Sequence, residues 1–573
     1  MPADPTNSPD PKSTPPESAP LATPAAPASA APPAPGAPAP VSTAQALGSA
    51  TYEIIRQRLQ THGNLLRERM TQLDQRRQEV FGSIEFKLLQ ADRVVTAHNC
   101  IPRDMVQLGH NRFLFGFNVR FGLKKEIELA DVFAIYHRDE TTGSFKESDR
   151  EVLQDKNFVT DFKRLYNVYE RASFAKFSLI EGSLFMVFST GPGVNDLAVF
   201  KWLFNSGQLR FVDGRSETEF RRIGFPPQYD FRWLTPDRES FRYGDHPHIS
   251  IEDRVFVECV GGDLTIKVED NTAIGEGIYA EPVEDRHQKV DDAEIAYAIL
   301  DHLILLRIRP YKETAHRYFI FNAKQQSVVR VDSLAQSCAR LPEEHGLIFP
   351  DGYYLGAGEL KQFEARETGL TLERIVPAPN GEDTLYVFYG RESGEYVLMP
   401  YGLIAQKVEE RITCHGYSLF PDGHLLLFRA DAEPQKHHMI QWRQTPFHIP
   451  GYEPEGHKDA FLYQVGNKDV VRALAECNEV LTLVRKENPY AELYVDLVKR
   501  CSAILDSYPW LSSADGFQVD GALRAVREAA DKAVDEFDKV RRMQREAVQR
   551  VQDVQKRCHE RFQMVRRSGF KRL

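Results

Sequence analysis

The chain has no Cys-x-x-Cys pair, no basic leader followed by an apolar stretch, and no long hydrophobic run. Its 7 cysteines, Cys100, Cys259, Cys338, Cys414, Cys477, Cys501 and Cys558, are odd in number and widely scattered, which fits reduced thiols in a cytosolic protein. Nothing approaches the roughly 18 to 20 apolar residues that span a bilayer. Secretion and membrane insertion are therefore not expected, and the expected location is cytoplasmic. A phosphate loop of the form G-x-x-x-x-G-K-[ST] is missing, as are G-x-G-x-x-G after a strand, H-E-x-x-H and G-x-S-x-G. Taken alone, the residues offer no recognisable catalytic apparatus. A large excess of one charge is also lacking: 72 Lys and Arg stand against 82 Asp and Glu, a net −10, so any contact with nucleic acid must be local.

What is present is a chain of 573 residues, 42% hydrophobic, 11% aromatic and 27% charged, able to bury a large core. That length leaves room for about three folded units plus tails. Residues 2–41 form a Pro/Ala/Ser tract with almost no large apolar side chains, which cannot offset the entropy of ordering. The expectation for residues 1–49 is a disordered tail, either a plain solvated one or a spacer that docks a polyproline-binding partner. Over 50–85 an amphipathic helix is expected, because Tyr52, Leu59, Leu66, Leu73 and Val80 recur every seven residues. The alternate positions after Ile55 are His62, Arg69 and Arg76, which favours packing onto a neighbouring helix over a two-stranded coil.

Residues 86–450 lose the helical period and read as short β-runs separated by Gly, Asp and Asn turns. Phe177 to Ile180, through Glu181-Gly182, to Leu184–Phe188 reads as a hairpin, and so does Arg254 to Val260 through Gly261-Gly262 to Leu264–Val268. Two strings recur at offsets of about 67 and 71 residues: Tyr318-Phe319-Ile320-Phe321 with Leu385-Tyr386-Val387-Phe388, and Phe349-Pro350-Asp351-Gly352 with Phe420-Pro421-Asp422-Gly423. The fold class this predicts is mainly β with flanking α: β-propeller-like repeats followed by a helical hairpin and a coiled-coil arm. A two-sheet sandwich or a pair of β-domains are the alternatives, since common blades repeat at roughly 40 to 50 residues. A helical insertion is expected near 160–171.

After residue 450 the chain turns helical again. Asn467 is placed to cap one helix and Asn488-Pro489 to open another, giving a hairpin over 451–512. A basic coiled-coil helix is expected over 513–573, with Val526, Ala533, Val540, Ala547 and Val554 in one heptad row and Ala530, Phe537, Gln544, Val551, Cys558 and Val565 in the other. A coiled-coil partner helix follows from that pattern.

Candidate sites are few. Arg541, Arg542, Arg545, Arg550, Lys556, Arg557, Arg561, Arg566, Arg567, Lys571 and Arg572 make the C-terminal helix strongly basic, which suits sequence-independent, salt-sensitive phosphate contacts with DNA or simply a solvated face. His246-Pro247-His248 sets two imidazoles at H-x-H spacing near Asp245, Asp253 and Asp263, but two ligands do not define a metal site. His437-His438 is a weaker pair, and Gly275-Glu276-Gly277 reads as a turn. No catalytic, cofactor or metal residue is assigned.

Longer strings are more specific. Asn111-Arg112-Phe113-Leu114-Phe115-Gly116-Phe117-Asn118-Val119-Arg120-Phe121-Gly122-Leu123, with Gly244-Asp245-His246-Pro247-His248-Ile249-Ser250-Ile251, Gly261-Gly262-Asp263-Leu264-Thr265-Ile266-Lys267-Val268 and His345-Gly346-Leu347-Ile348-Phe349-Pro350, resembles large bacterial AAA-type ATPases involved in DNA repair. The resemblance runs from about residue 50 to the C-terminus. It implies a β-rich region and coiled coil that precede an AAA module using ATP and magnesium. Hydrolysis needs a phosphate-cradling loop, a Lys and metal ligands, none of which these residues supply. The AAA module is then expected in cis, with this chain the N-terminal portion of a longer product, or in trans as a separate partner from a split gene. The function expected is a non-catalytic recognition and scaffold region of such an ATPase; the alternative is a direct DNA binder acting through the basic helix.

Overall fold

The computed structural model describes residues 49–109, 111–119, 127–148, 151–193, 196–205, 208–224, 226–364, 369–429, 433–449, 458–486 and 493–569. The expected tail over 1–48, the Asn488-Pro489 cap, Arg120 to Leu123 of the quoted string, Lys571 and Arg572 lie outside these residues.

Helix α1 (Ser49–Phe81) opens the described chain and leads into β1 (Lys87–Gly109), a strand of 23 residues. Its two halves serve different partners. Residues from Lys87 to Val95 pair antiparallel with residues 437–444, and those from Cys100 to Gly109 pair with Arg112–Val119. The seven-stranded sheet that results is therefore two four-stranded units joined through one strand. With the other five antiparallel sheets of four or five strands, the described residues form seven blade-like units in a propeller-like arrangement. Blade 1 is the second half of β1 with Arg112–Val119, Phe133–Arg138 and Phe145–Ser148; blade 7 is Gly416–Leu419, His424–Arg429 and Gln435–Gln444 with the first half of β1. Blades 2 to 6 begin at Ser173, Phe241, Glu294, Ala339 and Leu370.

Strand alternation gives each blade two buried faces. Leu426, Phe428 and Ile440 of blade 7 meet Phe113, Phe115 and Phe117 of blade 1, while Leu114, Phe133 and Ile135 on the opposite face of blade 1 meet Phe174, Leu184, Met186 and Phe188 of blade 2. The seam between blades 1 and 2 is dominated by aromatic rings in edge-to-face contact, such as Phe158 and Trp202 at 4.7 Å and 71°. Burying each such ring stabilises the fold by roughly 1.5–3 kcal/mol. Phe158 and Phe162 come from α2 (Lys156–Val168), capped by Asp155, whose carboxylate accepts from the amides of Asn157 and Phe158. Similar clusters join blades 3 to 4, 4 to 5, 5 to 6 and 6 to 7.

No hydrophobic core cluster among the described residues joins blade 2 to blade 3. The second face of blade 2 packs instead on Phe220 of α3 (Glu217–Ile223). The corresponding face of blade 3 is polar, with His248, Ser250, Glu258, Thr265 and Lys267 all buried. Between these blades the chain runs along the first strands of three others: the Gln228 amide pairs with both backbone groups of Leu372, Tyr229 bridges to Cys338, and Leu234 bridges to Tyr297. The ring is thus spanned by a connection carrying Tyr229, Phe231 and Trp233.

The two expected hairpins form as tight turns, with Ile180 opposite Ser183 and Val260 opposite Asp263. Glu181 and Gly182 both take positive φ, 47° and 72°, the pattern of a type I′ turn. The offsets of about 67 and 71 residues are not a blade repeat. Tyr318 to Phe321 lies in the third strand of blade 4 and Leu385 to Phe388 in the second of blade 6; the turn at Asp351 follows a second strand, but that at Asp422 follows a first. Both pairs are displaced by one strand, so they report similar hairpins in non-equivalent places.

A helical body covers one side of blades 5 and 6. It comprises α1, α4 (Asn467–Arg485), α5 (Leu493–Ser507) and the first half of α6 (Val519–Gly569), packed around Leu66, Leu73, Leu474, Leu497, Leu523 and Val526. On α1 the second buried row is Gly63, Met70 and Arg77, one residue beyond the expected His62, Arg69 and Arg76. Gly63 lets the helices approach closely there: a Cβ would lie 3.0 Å from Val484 Cγ1. Asn467 does not cap α4: it is the first helical residue, and its amide donates to Asn380 O at 2.9 Å, tying the helix to blade 6.

Candidate functional site

Three places carry chemistry. The first is α6. Up to Phe537 its apolar row is buried in the helical body, and Val540 is half-buried; from Arg542 to Arg566 every described side chain is exposed. Arg542, Arg545, Arg550, Lys556, Arg557, Arg561 and Arg566 all stand on this free stretch, spread around the helix except on the side that carries Val551 and Val554. Arg541 and Arg567 lie on the same helix, although their side chains are outside the described set. Residues 541–573 hold eleven Lys and Arg against three acids, which leaves the rest of the chain at −18 within a total of −10. The described basic residues are brought onto one arm.

The second place is the polar face of blade 3. His246 Nδ1 lies 2.9 Å from Glu258 Oε1, and His248 Nε2 lies 2.8 Å from Asp270 Oδ1. Asp253 accepts from Ser250 Oγ at 2.8 Å and, like Asp270, lies 3.6 Å from the Arg242 guanidinium. The two imidazoles are thus engaged by separate carboxylates, and Lys267 closes the cluster through Glu258 and Ile274 O. Among the described residues no group of three or more His, Cys, Asp or Glu converges as a metal site would. His438 is buried with its Nε2 3.4 Å from Cys100 Sγ, whereas His437 is exposed.

The third place is the inner side of the ring, where the first strands of blades 1, 2 and 6 meet. A cavity of about 800 Å³ is walled by Arg103, Lys176, Phe220, Glu373, Tyr389 and Arg391. Lys176 Nζ reaches both oxygens of Glu373 at 2.7 and 2.8 Å and sits 4.8 Å from the Tyr389 ring centre. Beneath it, Asp104 is buried and accepts from the amides of Met105 and Phe177, each at 2.8 Å, and from Tyr396 Oη at 3.1 Å. Burial pushes its carboxyl up to about 8, against the pull of those three donors and of Lys176. Asp104 does not itself line the cavity; a large cavity with convergent polar groups such as Arg103, Lys176, Glu373 and Arg391 is the usual form of a ligand-binding site. None of these residues stands out in a motif. The signal available was a lone charge inside an apolar strand, as Lys176 is within Ser173–Ile180.

A fourth polar cluster is structural. Arg77 of α1 is 4% exposed and donates to Asp74 at 2.7 Å and Glu382 at 2.6 Å, joining the helical body to blade 6. Burial raises the Glu382 carboxyl to about 7.

Fold and sites together define a propeller-like β-protein carrying a docked helical body and a free basic helix. No helix among the described residues is long and apolar enough to cross a membrane. The chain belongs to the family described as "ATPase involved in DNA repair", whose model matches residues 65–509, from within α1 to the end of α5. No curated protein matches the chain. Among solved structures, YCF48 bound to a D1 peptide is similar over 63% of this chain and 97% of its own at 8% identity and a TM-score of 0.21. The S. cerevisiae core factor is similar over 76% of each chain at 8% identity and a TM-score of 0.21. A DUF4623 family protein from Bacteroides eggerthii is similar over 64% of this chain and 76% of its own at 11% identity and a TM-score of 0.22. Likeness at these scores carries no argument about function.

Proposed function

We propose that this chain is the recognition and scaffold region of a DNA-repair-type ATPase, acting in the cytoplasm without hydrolysing nucleotide itself. The AAA module, with its ATP and magnesium, is the partner, in cis or in trans. The observation that carries this reading is the double life of α6: one half is core of the helical body, and the other half stands clear as a charged lever. Because the body is tied to blades 5 and 6 through Arg77–Glu382, Arg472–Glu343 and Asn467–Asn380, displacement of the lever is transmitted to the ring. The cavity above Asp104 is then the recognition site. Seven free cysteines, six of them buried, agree with a reducing compartment. The test is phosphate release by the purified full chain: no turnover is expected, and activity that follows the chain through successive columns would refute the reading.

A second reading has the free half of α6 bind DNA directly, favoured by the exposure of its arginines. Binding would then weaken steeply with salt, with a log–log slope of about −0.9 per phosphate contacted. Truncation after Val540 should abolish it; undiminished binding would dispose of this reading.

A further inference from the structure

The apolar register that buries α6 in the body continues after burial stops. Leu523, Val526, Ala530, Ala533 and Phe537 form the buried seam. Ala547, Val551, Val554 and Cys558 extend the same register, yet Val551 is 55% and Val554 49% exposed, with Val548 and Phe562 beside them at 58% and 67%. A seam that resumes the register of an established helix interface past one polar position, Gln544, and is bare over several turns is a docking face for another helix.

Charge decides what kind of helix. Arg550 and Arg557 each precede a seam residue by one position and so flank the apolar stripe. Glu546, Asp553 and Glu560 lie further round, and Arg550 reaches Glu546 only at 3.9 Å. In a parallel pair of two copies, Arg550 would face Gln555 and Arg557 would face Phe562; in an antiparallel pair the arginines would face one another. A second copy therefore offers no carboxylate to this flank in either direction, and like charges across a coiled coil act against pairing.

We propose that the seam of residues 547–558 takes an acidic amphipathic helix of a partner protein, laid alongside α6 as a two-stranded coil with Glu or Asp against Arg550 and Arg557. This names the chemistry of a partner that the scaffold reading leaves open, and rests on that reading only for what the contact is used for. The two fail separately, because the present claim concerns binding and the other concerns hydrolysis.

The experiment uses the full chain and a fluorescein-labelled 28-residue peptide with Leu at both seam positions and Glu at both flanking positions. An otherwise identical peptide with Lys at the flanks is the control. Fluorescence anisotropy should show binding of the Glu peptide and at least tenfold weaker binding of the Lys peptide. V551D/V554D should lose the Glu peptide, and R550E/R557E should reverse the preference. Both variants lie outside the packed body, so unchanged thermal unfolding keeps the comparison valid. Equal binding of the two peptides, no binding of the Glu peptide, or sedimentation showing that the chain self-associates in a way V551D/V554D abolishes would each overturn the proposal.

Discussion

Replacing Asp104 by Asn tests how blades 1, 2 and 6 are held together. The Asp104 carboxyl group accepts three hydrogen bonds with no solvent access, and the amide that replaces it must turn an NH2 group towards one of those donors. One buried donor left facing another costs about 1–3 kcal/mol. The pH dependence is the sharper part. Burial holds the native carboxyl at about 8, against 3.8 for the exposed group, so between those values the native state keeps a proton that the unfolded state has released. Stability from this group is therefore present at low pH and is lost as pH rises towards 8, by up to about 1.4 kcal/mol per pH unit. The substituted amide carries no such proton. In urea unfolding followed by intrinsic fluorescence between pH 5 and 8.5, D104N should be clearly less stable at pH 5 and should close on the native chain, or pass it, by pH 8. Parallel stability curves across that range would show that Asp104 titrates as an ordinary carboxyl and that the reasoning fails.

Other perturbations have equally defined outcomes. R77M leaves Glu382, 24% exposed, without its guanidinium partner and should cost about 1–3 kcal/mol, with R77M/E382Q recovering much of it; an unchanged denaturation midpoint for R77M would mean that the helical body is held elsewhere. G116A drives a Cβ into the Phe174 ring, which is fully buried, so overpacking of about 1–3 kcal/mol is expected and should show as a lower thermal midpoint. His345, whose Nε2 lies 3.1 Å from Glu479, is pushed down to about 4 by burial from 6.5. It stays neutral in the native state while the unfolded state gains a proton, so its contribution is lost as pH falls from 6.5 towards 4. H345Q should flatten that acid limb of the stability profile.

Much of the architecture could be read from local pattern. Alternation and tight Gly-containing turns announce strands wherever one turn closes two of them, as at Glu181-Gly182, and heptad spacing announces α1 and α6. The blade count could not be read, because blades 4 to 7 begin at Glu294, Ala339, Leu370 and Gly416, intervals too uneven for any period to survive. The matched strings misled because hairpin residues repeat for the sake of the turn, whatever strand they join. The cavity at Asp104 was hidden for another reason: Asp104, Lys176, Glu373 and Tyr396 are scattered over nearly three hundred positions, and only ring closure brings them together. The basic arm was visible because its charges are sequential. Its separation from the body depends on where the neighbouring helices stop, which no local pattern states.

One strand shared by the first and last blades makes the ring a clasp whose two parts are synthesised far apart in time. Residues 87–95 leave the ribosome early, but their partners near 435–444 follow some 350 residues later, roughly 20–70 s at 5–20 residues per second. Throughout that delay the hook half of β1 offers a bare strand edge. A nascent chain of this design needs an occupant for that edge, and a proline placed at 91 should trap an unfastened ring whose other six blades have already formed.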